Sequence, residues 1–124
     1  MRWKQFFTPV ESMDLNHAKK FIDESTQGSV TILDVRQPKE YESGHIPGAK
    51  LIPLPEIKDR MDEIDPDRPT VVYCAIGGRS RVAAQMLAGK GFKKVYNLSG
   101  GIKAWNGNTA QGPADQGLEL FNGK

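Results

Sequence analysis

Thr70-Val71-Val72-Tyr73-Cys74-Ala75-Ile76-Gly77-Gly78-Arg79-Ser80 is the stretch on which the fold turns. Its first four residues are β-branched or aromatic throughout, the composition of a short strand covered on both faces. The strand delivers the chain to Cys74, and residues 75–79 form a glycine-containing loop. From Ser80 to Leu87 the chain reads as a helix whose apolar face is Val82, Ala83, Met86 and Leu87, ended by Gly89 or Gly91. A strand, a tight loop and a helix in direct succession bring unpaired helix amides up to the strand's carboxyl end.

Working outward, the same alternation repeats. Leu15, Ala18, Phe21 and Ile22 mark an amphipathic helix over Ser12 to Ile22, with Ser12 placed to cap its first turn. Val30 to Leu33 is a buried strand, and Pro38 opens a short helix, since a first-turn residue needs no amide hydrogen. Gly44, Pro47 and Gly48 lead into a second strand over Ala49 to Ile52. Ile57, Met61 and Ile64 give Pro55 to Ile64 one apolar face and predict a surface helix ending before Asp65-Pro66. Beyond the Cys74 unit, Lys94 to Leu98 is a strand, and Gly100-Gly101 opens a short helix that includes Trp105. Strands alternating with helices predict an α/β domain: a doubly wound, mainly parallel central sheet flanked by helices on both faces.

A chain of 124 residues fits one domain. We place it over residues 1–106, with a polar, turn-rich tail or linker over 107–124 whose apolar Leu118 to Phe121 could dock elsewhere. That ending suggests a piece of a longer protein with a fused downstream domain. Hydrophobic content of 38% with 26% charge is that of a soluble globular protein. No run approaches the ~18 apolar residues of a membrane span, and Met1 to Pro9 lacks the apolar core of a secretory signal, so a cytoplasmic protein without a membrane partner is expected. A net charge of +2, with basic residues clustered no further than pairs such as Lys19-Lys20, gives no footprint for nucleic acid. One cysteine makes no internal disulfide, and two distant histidines complete no zinc spacing, so neither metal nor cofactor is expected.

A lone cysteine is most often an inert core residue. At Cys74 the surroundings argue otherwise. The amides of Ala75, Ile76, Gly77, Gly78, Arg79 and Ser80 can turn toward one point in front of the sulfur, forming an anion cradle backed by a helix N-terminus. In such a setting a cysteine pKa falls from about 8.5 toward roughly 3.5 to 7.5, and the thiolate becomes the resting form. Gly77 and Gly78 supply backbone angles that a Cβ would make costly.

The residues Leu33-Asp34-Val35-Arg36, Glu40-Tyr41, Gly44-His45-Ile46-Pro47-Gly48-Ala49, Val72-Tyr73-Cys74 with Gly77, Arg79 and Ser80, and Val95-Tyr96-Asn97-Leu98-Ser99-Gly100-Gly101 with Ala104-Trp105 resemble a single-domain rhodanese. The resemblance runs from about Ser12 to Trp105. It implies a sulfurtransferase in which the cysteine takes a sulfane sulfur from thiosulfate, polysulfide or a persulfide and passes it to a thiol, cyanide or a protein acceptor. A carrier or regulatory module serving an attached or separate partner is the other reading. Phosphatases and arsenate reductases of similar fold carry arginine six positions after the cysteine. Here that position is Ser80, with Arg79 at five, which favours sulfur over a phosphoryl group. Ala75 and Ile76 lack the charges that some thiosulfate-using members carry, so thiosulfate is expected to be a poor donor.

Around this centre, Arg36 has two readings, attraction of an anionic donor or pairing with a carboxylate. Asp34 is read as a cap on nearby amides. His45 is expected to fix its turn rather than serve as a base, His17 to be solvated, and Trp3 and Trp105 to pack. Ser80 is expected to cap the helix, to donate to the sulfur, or both. Arg79 faces the pocket, and Arg81 faces solvent or a partner.

Overall fold

The computed structural model describes residues 10–26 and 28–114. Among them are the strands β1 (Glu11–Met13), β2 (Thr31–Asp34), β3 (Lys50–Leu51), β4 (Thr70–Tyr73) and β5 (Val95–Leu98). They form one sheet in the order β1-β5-β4-β2-β3, with every neighbouring pair parallel. The connections carry α1 (Leu15–Glu24), α2 (Pro38–Ser43), α3 (Ile57–Arg60), α4 (Gly78–Gly89) and α5 (Gly101–Ala104). The central strand is β4, and all four of its residues are fully buried, as its unbroken apolar and β-branched run requires. From β2 the chain steps outward to β3, and from β4 it steps the other way to β5. The carboxyl ends of β2 and β4 therefore flank the point where the winding reverses, the usual ligand edge of an open α/β sheet.

Alternation along the strands divides the core. Leu33, Val72 and Val95 pack with Ala83, Ala84 and Leu87 of α4, Ile57 of α3, and Val35, Ile52, Ile64 and Phe92. Ile32, Val71, Tyr73 and Leu98 face the other way, against Ala18 of α1, Tyr41 of α2, Ile46 and Ala49. Each Val, Leu, Ile or Phe among them contributes about 1.5–3 kcal/mol when fully buried, so the two layers together hold the sheet. No described helix is long and apolar enough to cross a membrane.

Several boundaries differ from the sequence reading; the helix after Gly100, for one, stops at Ala104, with Trp105 extended. Ser12 does not cap α1; it lies in β1 opposite Asn97, and Asp14 caps instead by accepting from the His17 amide at 2.8 Å. A three-residue strand has too few side chains to show a period of two, and only its backbone pairing with β5 reveals it. The helix expected over Pro55 to Ile64 is broken into a 3-10 turn (Leu54–Glu56), α3 and a second 3-10 turn (Met61–Glu63), because Arg60 leaves helical geometry at φ −126°. The stretch from Gly107, read as a tail, folds back as far as Ala114. His45 and Ala110 exchange backbone hydrogen bonds at 2.9 and 2.8 Å, and the Gly112 amide donates to the Glu42 carbonyl at 2.9 Å. The expectations for Trp3 and for Leu118 to Phe121 lie outside the described residues.

Candidate active site

Cys74 stands one residue past β4, only 1% exposed, at the floor of the loop that leads into α4. Gly77 is the N-cap of α4, in the left-handed region at φ +116°, where a side chain would be strained. That turn aims the Gly77 amide at the Cys74 sulfur at 3.1 Å and the Ser80 amide at 3.4 Å, with the Ser80 hydroxyl also at 3.4 Å. Burial pushes the thiol pKa up. The Ser80 hydroxyl and the amides of Ser80, Gly77 and Ile76 favour the thiolate and outweigh burial, leaving the pKa below its ordinary value.

The amides face inward because the carbonyls are held outward. The Cys74 and Ala75 carbonyl oxygens accept from the Ile102 and Lys103 amides of α5 at 2.9 and 3.1 Å. Between them passes Gly101, at φ +63°, where a Cβ would lie 2.4 Å from the Ala75 oxygen and 2.6 Å from that of Cys74. Only glycine permits this approach. Gly101 thus shapes the sulfur site from outside the loop.

Ser80 is the third residue of α4 and fully buried, so it is not the cap. Its hydroxyl bridges the Cys74 sulfur, the Gly77 carbonyl at 3.2 Å and the Asn97 side-chain oxygen at 2.5 Å. Asn97 was assigned no role from sequence. The sheet register sets Val72 opposite Asn97, and Cys74 follows Val72 by two, so Asn97 sits on the same face beneath α4. One signal could have found it: a polar residue at a core-facing position of an otherwise apolar strand.

Arg36 is buried. Its Nε and Nη2 donate to both carboxylate oxygens of Asp34 at 2.7–3.2 Å, and Nη2 also donates to the Gly44 carbonyl at 2.7 Å. Asp34 additionally accepts from the Arg36 amide at 2.9 Å. Of the two readings for Arg36, this geometry is that of a frame joining the β2 and α2 loops, not of a donor facing substrate. The Tyr73 hydroxyl accepts from the Ile46 amide at 3.1 Å, and burial followed by the Asp34 charge pushes its pKa up. His45 stacks on Tyr41 at 3.6 Å and bonds through Nδ1 to the Tyr41 carbonyl at 2.7 Å, so it fixes its turn. His17 and Arg81 are exposed. Arg79 reaches across to Glu40, which no local sequence signal marks as its partner, at 2.9 and 3.0 Å. Ile76 is 67% exposed at the rim, Gly78 is exposed and Ala75 half-buried. A cavity of about 680 Å³ lies elsewhere, between α2 and β3, and includes no residue of the Cys74 loop.

The model of the rhodanese-like domain matches residues 17–108, nearly all of the sheet and both ends of the Cys74 loop. The chain belongs to the rhodanese-like domain family. Among its relatives, the thiosulfate sulfurtransferase GlpE of Pseudomonas entomophila is 40% identical over 72% of this chain and 84% of its own length. The putative sulfur carrier protein YrkF of Bacillus subtilis is 38% identical over 81% of this chain. The chain spans 53% of YrkF's length and 60% of that of a second Bacillus subtilis relative. A rhodanese-like domain protein from Staphylococcus aureus superimposes with a TM-score of 0.71 at 32% identity, covering 90% of this chain and 98% of that one. The rhodanese-like fold therefore coincides with what the sequence resemblance implied.

Proposed function

We propose that this rhodanese-like domain is a sulfurtransferase that carries sulfane sulfur as a persulfide on Cys74. The observation that supports it most is the convergence of the Gly77 and Ser80 amides on the sulfur at 3.1 and 3.4 Å. The Cys74 thiolate attacks the outer sulfur of thiosulfate; a Cys74 S–S bond forms, the donor's S–S bond breaks, and its electron pair leaves on sulfite. The persulfide keeps the negative charge, and Ala75, Ile76, Gly77, Gly78, Arg79 and Ser80 surround it, with the inward amides of Ile76, Gly77 and Ser80 as donors to the anion. The Ser80 hydroxyl and the loop amides lower the thiol pKa, which eases formation of the attacking thiolate. A thiol, cyanide or protein acceptor then attacks the outer sulfur and restores the thiolate. Polysulfides and persulfides fit as donors because residues 75–78 bring no charge to the mouth.

Intact mass after exposure to thiosulfate or polysulfide tests this reading. A gain of one sulfur atom, reversed by cyanide and missing in Cys74→Ser, is expected; no adduct with any donor overturns it. A second reading, a sulfur carrier acting on a partner protein, draws on the exposed Ile76 beside the sulfur and the kinship with YrkF. It predicts a stable persulfide with slow turnover to small acceptors.

A further inference from the structure

Arg79 is the only charged side chain between Cys74 and Ser80, so beyond the loop amides any net charge this loop offers an anionic donor is that of Arg79. Its fork is already occupied. Nη1 and Nη2 donate to the two oxygens of Glu40 at 2.9 and 3.0 Å, a matched bidentate pair joining residues 39 apart, 38% and 35% exposed. Glu40 is held independently as well: on the first turn of α2, its Oε1 accepts from the Gln37 amide at 2.9 Å. The Arg79 fork, the Gln37 amide and the field of Arg36 hold its carboxyl down to about 2, so it is charged throughout the neutral range. Arg79 also lies in the field of the Cys74 sulfur, although Glu40 is its dominant partner.

We propose that Glu40 sets the donor specificity of this site by withholding Arg79 from anionic substrates. Thiosulfate, a dianion, must displace a carboxylate whose geometry already fits the guanidinium, or approach with Arg79 still engaged and with the Glu40 charge nearby. An organic hydropersulfide is at most a monoanion and meets a smaller barrier. Its outer sulfur bonds to Cys74, its S–S bond breaks, and the departing thiolate takes the proton to leave as a thiol. Glu40 touches no reacting atom; it is a positioning residue acting through Arg79.

The donor preference rests on the sulfurtransferase reading, so the test includes one readout that involves no sulfur transfer. Cys74 is alkylated with iodoacetate and with iodoacetamide, whose rate ratio reports the charge felt at the sulfur. Glu40→Gln keeps an oxygen for the Gln37 amide and so leaves α2 capped. It is expected to raise that ratio roughly threefold, the scale of one partly exposed ion pair. The kcat/KM for thiosulfate relative to the persulfide of 2-mercaptoethanol should rise at least as much, since thiosulfate carries two charges. The double variant Glu40→Gln/Arg79→Gln should lose both gains. An alkylation ratio unchanged by Glu40→Gln, or a gain that survives without Arg79, overturns the proposal. A raised alkylation ratio with no sulfur taken up from either donor by any variant instead overturns the sulfurtransferase reading while leaving Glu40's hold on Arg79 standing.

Discussion

Asp34–Arg36 and Glu40–Arg79 are both bidentate carboxylate–guanidinium pairs near the ligand edge of the sheet, yet they differ in nearly everything that determines what such a pair does. The first joins residues two apart and is 0% and 6% exposed; it also satisfies the Arg36 amide and the Gly44 carbonyl. The second joins the first turn of α2 to the first turn of α4, is more than a third exposed on each side, and borders the reactive sulfur. A buried charge with its partner removed has no water to turn to, whereas an exposed one is resolvated. Identical chemistry therefore yields a structural rivet in one place and an adjustable charge in the other.

The sharpest way to break the comparison is to remove one charged partner from each pair. Asp34→Ala strands a buried guanidinium and is expected to lower unfolding stability by about 3–5 kcal/mol in urea titration. Arg79→Gln at the exposed pair should cost less than about 1 kcal/mol. Equal losses would erase the distinction. Next in size is Gly101→Ala, which must push α5 off the Cys74 and Ala75 carbonyls. We expect a loss of roughly 2–3 kcal/mol from strain and overlap, together with slower alkylation of Cys74 as the amides lose their aim.

Smaller again is the effect of Ser80→Ala, which removes the largest hydrogen-bond contribution favouring the thiolate. In wild type the iodoacetamide rate should rise with pH about a midpoint below that of an ordinary thiol. In Ser80→Ala the midpoint moves upward, so alkylation at low pH slows while the high-pH plateau remains. Smallest is the acid response of Glu40. Its folded pKa is lowered from 4.5 to about 2, so the protein gains stability from it above the unfolded value and loses that gain as pH falls between those limits. Wild type should lose at most about 1 kcal/mol more than Glu40→Gln across that window, given the pair's exposure. A larger difference would place Glu40 with the buried pair rather than the exposed one.

How much could be read in advance varied with the range of the interaction. Thr70 to Tyr73 was legible because four consecutive buried residues signal a central strand, and Cys74 was legible because the glycines beside it are local. Ser12 was misread because β1 has only three residues and is defined by its partner. Of the two roles read for Ser80, contact with the sulfur holds and capping does not, because the cap is Gly77, whose role depends on a positive φ. Asn97 and Glu40 escaped assignment because each meets the loop across tens of residues, Asn97 with Ser80 at a separation of 17 and Glu40 with Arg79 at 39.

By itself, the order of residues determined the alternation of strands and helices, the parallel sheet, and a thiolate-favouring cysteine at a strand's end, because hydrophobic period, glycine placement and helix-end amides are properties of neighbours along the chain. Only the tertiary structure decided that α5 turns the loop carbonyls outward, that Asn97 underlies Ser80, and that Glu40 rather than solvent or substrate holds Arg79. Those contacts depend on which elements the winding of the sheet brings to one edge, and their energies are set by how far that edge excludes water.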